Sequence, residues 1–216
     1  MTGVESLYPF LYRDGEGSGD VTAVLAEVRR STAEKAVEIV ELRRRMAAEY
    51  GDRLAACAVA LAASFRAGGR LFTFGNGGSS TDAQAVAQLF LDQGPGAGRP
   101  LPAVALTTDV AVVTALSNDV GFEVVFARQL AAFARPGDVA MGLSTSGGSA
   151  NVLRGFAEAS RLGLVTVGFA GYDGGRMAAA DTIEHLFVVP SASVHRIQEA
   201  QTTTYHVLWE LTQSAL

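Results

Sequence analysis

The sequence predicts an α/β protein with a parallel five-stranded sheet flanked by helices, a flavodoxin-like three-layer arrangement, preceded by an N-terminal helix pair. Three observations predict it. Short apolar runs rich in Val, Leu and Phe alternate with helix-like runs from about Arg70 to the C-terminus. Two of those strand-like runs end in turns of glycine and hydroxyl residues that open directly into a helix. The first third of the chain carries apolar residues at helical spacing and contains no strand-like run. Strands buried on both faces read as continuous apolar runs, and helices between them make a parallel sheet the natural solution.

Residues 1–19 form an N-terminal arm: Pro9 and the run from Asp14 to Gly19 oppose a helix. Asp20 is an N-cap candidate for a long helix to about Tyr50, where Val21, Val24, Leu25 and Val28 follow the 3.6-residue period. Gly51 is read as its end, and Asp52 as the cap of a second helix over 53–67. Strands are predicted over 70–75, 102–107, 138–143, 163–169 and 183–189. Helices are predicted over 80–92, 109–117, 122–134, 149–162, 174–180 and 194–214. Residues 20–216 are read as one domain, since a chain of 216 residues can bury one sizeable core.

The glycine turns carry the chemistry. The first is LFTFG-NGGSS, from Leu71, and the second is VAMGLS-TSGGS, from Val139. Glycines let the backbone turn tightly and expose its N–H groups, while the following helix adds unpaired donors and partial positive charge. Hydroxyls at Ser144, Thr145, Ser146 and Ser149 can wrap a phosphate without a lysine. Neither turn reads GxxxxGK[ST], and neither reads GxGxxG with an acid about 20 residues on. A small phosphorylated metabolite fits better than a nucleoside triphosphate or a dinucleotide.

A formal net charge of −5 argues against nucleic acid as a ligand. No apolar run approaches the roughly 20 residues of a membrane span, and MTGVESLYPF lacks the basic start of a signal peptide. A cytoplasmic protein is expected. Cys57, in an alanine-rich stretch, reads as a buried apolar residue.

Four motifs then occur in order: GNGGS at 75–79, SNDVGF at 117–122, LSTSGGSANVL at 143–153 and RIQE at 196–199. Together they resemble the sugar isomerase (SIS) domain proteins, and within them the sedoheptulose 7-phosphate isomerase (phosphoheptose isomerase) branch. The resemblance implies that Ser144, Thr145, Ser146 and Ser149 bind phosphate and that Asn76 and Ser79 contact the sugar. It places Asn118 and Asp119 by the substrate, although an N-cap for the next helix is the alternative reading. It makes Gln198 a substrate or metal ligand, and His206 a metal ligand or the acid–base group. His195, three residues before Gln198, can reach the same site. The resemblance also implies a homotetramer or dimer.

The sequence departs from the resemblance at one helix. The phosphoheptose isomerase pattern has a metal-binding His and a Glu, the base, where this chain has Ala85 and Leu89; a family Arg falls at Gln93. Aldose–ketose interconversion needs a base near the reacting carbon and a group for the developing oxyanion, which alanine and leucine cannot supply. Zinc stays open as a cofactor, with two of its four family ligands missing and only Gln198 and His206 left. Three readings therefore stand. The first is an isomerase with a rebuilt base drawn from Asp92, Asp119, His195 or His206. The second is a phosphosugar-binding regulator of the initiator-associating type. The third is a partner subunit of an active paralogue.

Overall fold

The computed structural model describes residues 21–91 and 98–216. The expected N-terminal arm, the Asp20 cap, Asp92 and Gln93 lie outside the described residues. Five strands form one sheet: β1 (Leu71–Gly75), β2 (Ala103–Ala105), β3 (Val139–Ser144), β4 (Val165–Gly171) and β5 (His185–Val189). Their order is β2-β1-β3-β4-β5, and every pairing is parallel. The helices are α1 (Val21–Arg66), α2 (Gly78–Leu91), α3 (Val110–Asp119), α4 (Val125–Phe133), α5 (Ala150–Arg161), α6 (Gly175–Ala178) and α7 (Val194–Ser214).

Every strand but β2, whose Val104 is exposed, divides its side chains between two cores. Leu71, Val139, Met141, Leu143, Val167 and Phe169 meet α1, α2 and α7 on one face. Phe72, Phe74, Ala140 and Ala170 meet α4 and α5 on the other. The alternation is the two-residue period of a strand, and burial of both phases is what a sheet covered on both faces requires. Phe74 stacks against both Phe126 and Phe156, with ring centroids 5.2 and 5.3 Å apart. At the N-terminal ends of the strands, the buried Asp138 accepts the backbone N–H of Arg70 and of Arg135, both at 2.8 Å, and pairs with the Arg70 guanidinium at 3.0 Å. One carboxylate thereby fixes how β1 and β3 begin side by side.

The chain connects β1 to β2 through α2, and β3 to β4 through α5, moving in opposite directions across the sheet. A right-handed crossover in each direction puts the two helices on opposite faces. The chains leaving β1 and β3 therefore diverge, and a crevice opens above two adjacent strand ends.

Two expectations are corrected. The helix pair is one helix: α1 runs unbroken through Gly51 to Arg66. A helical glycine costs only a fraction of what an interrupted apolar face would, and Met46, Tyr50, Leu54, Cys57 and Leu61 form a buried stripe across that point. Asn118 and Asp119 close the last turn of α3 rather than following it. Its N-cap is Asp109, whose side chain accepts the Val112 N–H at 3.0 Å.

The chain divides into two compact units, one ending at Glu38 and the other spanning Ile39–Leu216. In the first, the described residues are helical and mostly exposed, and Arg30 bridges Glu27 and Glu34 one turn away on either side. Exposed surface pairs of this kind stabilise a helix by about 0.3–0.5 kcal/mol each. Val24, Leu25, Val28 and Val37 of the same stretch are also exposed.

Gly51 leads to a stability prediction. A Cβ built there meets no atom within 4 Å, and the position lines a cleft of about 150 Å³ with Met46, Leu54 and Val207. Gly51→Ala is expected to stabilise the fold by about 0.5–1 kcal/mol, read as a higher urea midpoint at unchanged slope. A lower midpoint would mean that the space beside Gly51 is filled in the folded protein.

Candidate phosphate and sugar site

The crevice is built from the two glycine turns. Gly75 ends β1 in register with Leu143 of β3, so the turns start from neighbouring strand ends. A side chain at Gly75 would put its Cβ 2.5 Å from the Ser79 carbonyl, so only glycine lets β1 turn at once into α2. The second turn is braced from below. Gly147 has φ +62°, and its Cβ would fall 2.0 Å from the Gly174 carbonyl. Its own carbonyl accepts the Met177 N–H at 2.9 Å, and the Thr145 carbonyl accepts the Gly171 N–H at 2.9 Å. The loop between β4 and α6 thus holds the second turn in shape.

The hydroxyls of that turn converge. The Ser144 and Ser149 Oγ atoms are 3.0 Å apart, and Ser144 is buried at the end of β3. The exposed Ser146 Oγ accepts the Gly148 N–H at 3.2 Å. Ser149 is the N-cap residue of α5 in extended backbone, yet its side chain makes no capping bond. The Val152 N–H is taken by the Asn151 side chain at 3.0 Å. The first-turn N–H groups of Ala150 and Asn151 have no carbonyl behind them to accept, and they stand at the positive end of the helix dipole. Neutral donors around a helix N-terminus suit a doubly charged phosphate ester.

The first turn is tied to the second. The Asn76 Nδ2 donates to Asn151 Oδ1, and the Asn151 Nδ2 donates to Asn76 Oδ1, both at 2.8 Å. Ser79 is buried in the first turn of α2. Asn151 was not singled out from the sequence; its partner lies 75 residues away, and no local pattern announces such a pair.

α7 crosses the edge of the crevice. Its N-cap is Ser193, and the buried Gln201 pins it to β4 by donating Nε2 to the Ala170 carbonyl at 3.2 Å. Gln198 then reaches α2: its Nε2 donates to Asp82 Oδ2 at 3.0 Å, and it packs so closely that a Cβ at Gly78 would lie 2.6 Å away. Burial holds the Asp82 carboxyl above its usual range, against the opposing effect of the Gln198 hydrogen bond. Tyr205 is raised too, first by burial and also by the Asp82 charge. Asp82 is thus an acidic group in direct contact with Gln198.

The remaining candidates stand apart from this cluster. His206 is exposed and stacks on Tyr205, with centroids 5.3 Å apart. His195 is exposed at the start of α7. Asn118 and Asp119 are exposed and bonded to each other, Nδ2 to Oδ1, at 2.7 Å. Within one chain, none of the four hydrogen-bonds to either glycine turn.

Zinc does not fit the donor set. Ala85 and Leu89 offer no ligand, and Leu89 packs on the core. Among the described residues no three His, Cys, Asp or Glu side chains gather as a metal site. Gln198 and His206 alone fall short of the three or four ligands zinc takes from a protein.

Residues 36–171 match the model of the SIS domain family. The chain is similar to the phosphoheptose isomerase of Aquifex aeolicus, 42% identical over 187 residues that cover 87% of this chain and 93% of that protein. It is also similar to the phosphoheptose isomerase of Roseiflexus, 42% identical over 177 residues, 82% of this chain and 89% of that one. Among solved structures, the phosphoheptose isomerase of Neisseria gonorrhoeae superposes with a TM-score of 0.79 at 33% identity, covering 87% of this chain and 99% of that one. That of Francisella tularensis superposes with a TM-score of 0.79 at 28% identity, covering 88% and 98%.

The second turn supports a direct test. Replacing Ser144 and Ser146 together by alanine removes charge-assisted hydrogen bonds of roughly 1.5–3 kcal/mol each. Affinity for inorganic phosphate, measured by calorimetry, is expected to fall at least tenfold. An unchanged affinity in the double variant removes the phosphate site from this loop.

Proposed function

This chain belongs to the SIS domain family, and within it to the phosphoheptose isomerases, and from that membership we propose that it binds a seven-carbon sugar phosphate and slowly interconverts its ketose and aldose forms. Sedoheptulose 7-phosphate or a near relative is the substrate in this reading. The single observation that carries it is the Ser144–Ser149 turn at the N-terminus of α5, which gathers neutral donors where a phosphate ester would sit. Ser144, Thr145, Ser146 and Ser149 hold the phosphate; Asn76, Ser79 and Asn118 orient the sugar, with Gln198 at the edge.

The chemistry moves a proton between C1 and C2. Removing it from C1 of the ketose sends the C–H electrons into a C1–C2 double bond and leaves an oxygen anion on C2, which takes up a proton to give the enediol. Reprotonation at C2 and loss of the O1 proton give the aldose. His206, Asp119 and His195 are the groups we assign to these transfers. Their exposure in the single chain is consistent with a cleft completed by a second copy. Loss of a positioned base costs on the order of 10²–10⁴ in rate, so turnover is slow.

A second reading is favoured by Ala85 and Leu89 themselves. A protein that has lost the family base but keeps an ordered phosphate loop serves as a phosphosugar-binding regulator or as the partner of an active paralogue. Turnover separates the readings. Purified protein is expected to convert sedoheptulose 7-phosphate measurably, to contain little zinc, and to be at least 100-fold slower than a relative with the full pattern. Ala85→His with Leu89→Glu is expected to raise zinc content and rate, at some cost in stability because Leu89 packs on the core. Binding without any turnover selects the regulatory reading. Fast turnover by the unaltered protein contradicts the argument from Ala85 and Leu89.

The assembly is part of the proposal. Val24, Leu25 and Val28 leave an apolar patch exposed on one side of α1, and a helix buries such a patch against another element. We assign it to contacts between copies in a homotetramer or dimer that acts in the cytoplasm; no described helix is long and apolar enough to cross a membrane. Light scattering at micromolar concentration is expected to give a mass of at least twice 22.5 kDa. A monomer would count against the shared cleft.

A further inference from the structure

We propose that Asn151 is a positioning residue that couples the phosphate end of the site to the sugar end, by holding Asn76 through a reciprocal amide pair. The inference rests on the phosphosugar-binding reading. The orientation of the pair follows from its surroundings. The Val152 N–H donates to the Asn151 side chain at 3.0 Å, so the atom there must be Oδ1. The Asn76 atom 2.8 Å from that oxygen must then be Nδ2, and Asn76 Oδ1 must face Asn151 Nδ2. Neither amide can flip without setting like atoms against each other.

Counting the remaining capacity shows what the pair does. An asparagine amide has two N–H donors and an oxygen with two lone pairs. Asn151 is 3% exposed, and both lone pairs of its oxygen are used, one by Asn76 and one by Val152. Asn76 is half-buried and keeps one N–H and one lone pair free of Asn151. The oxygen of the buried partner is saturated, and the partly open residue holds spare capacity in a fixed direction. Pre-set polar groups of this kind bind a ligand hydroxyl without first losing side-chain freedom.

The position of Asn151 makes it a coupler. It is the second residue of α5, so its backbone N–H belongs to the helix end that receives the phosphate. Its side chain fixes a residue of the first turn. Movement of one turn against the other breaks the pair, so a ligand that spans both turns gains from it and an ion that fills only the second does not.

The experiment compares two probes on Asn151→Ala and Asn76→Ala and on the double variant. By calorimetry, inorganic phosphate is expected to bind Asn151→Ala within about threefold of the unaltered protein, while sedoheptulose 7-phosphate binds about tenfold or more weakly. The double variant is expected to lose no more than the worse single variant, because both substitutions remove one unit. A rise in the unfolding temperature of Asn151→Ala on adding inorganic phosphate shows that the variant is folded with its phosphate loop in place. Equal losses for both probes, additive losses in the double variant, or unchanged sugar phosphate binding overturn the proposal while leaving the phosphosugar reading intact. An unaltered protein that binds neither probe overturns both.

Discussion

Gly75 and Leu143 lie side by side at the ends of two parallel strands whose chains then leave in opposite directions. Everything functional depends on that divergence. Right-handed crossovers on opposite faces cannot both close over the same strand ends, so a gap remains between them. The gap is lined by two turns rather than by regular structure, and turns are where glycine and hydroxyl residues can present backbone donors. The sheet order comes first, and the site follows from it.

The donors in that gap are neutral. No arginine or lysine stands in the second turn, so a phosphate received there would meet hydroxyls, helix-end N–H groups and the α5 dipole. Neutral donors lose less on desolvation than an ammonium group does, and they do not collapse onto a carboxylate in the empty site. They need to be held in shape, and the structure supplies supports from two sides. Gly147 and Thr145 are braced by the β4–α6 loop, and Asn151 is locked to Asn76. α7, pinned by Gln201, brings Gln198 against Asp82 at the edge. The helix that carries Asp82 also carries Ala85 and Leu89, so the positions where the resemblance has a metal-binding His and Glu are apolar here.

Much of this was legible in the sequence, and what was not has physical reasons. The strands and the turn-to-helix junctions announce themselves, because apolar runs ending in glycine and serine have few other uses. Gly51 misled: as a local signal it ends a helix, but the buried stripe from Met46 to Leu61 outweighs a cost of about 1 kcal/mol. Asn118 and Asp119 read as lying beyond the helix over 109–117, because Asn and Asp favour turns and caps, yet they close α3, whose start is fixed by Asp109. The pair of Asn76 with Asn151, and of Gln198 with Asp82, are contacts across 75 and 116 residues. Such contacts depend on strand order, which periodicity does not encode. The Ser144 and Ser149 hydroxyls meet because they belong to one local turn, whereas His195, His206 and Asp119 are brought to no common point within the single chain.

The central claim is that the β1/β3 crevice receives a sugar phosphate, and a crystal structure with sedoheptulose 7-phosphate tests it most directly. The account predicts phosphorus density within hydrogen-bonding reach of the Ser144, Ser146 and Ser149 hydroxyls, with the sugar extending toward Asn76. A second polar cleft lies at the opposite end of the strands, lined by Arg70, Arg135 and Asp138. Phosphate bound there, with the crevice left to water, would contradict the account.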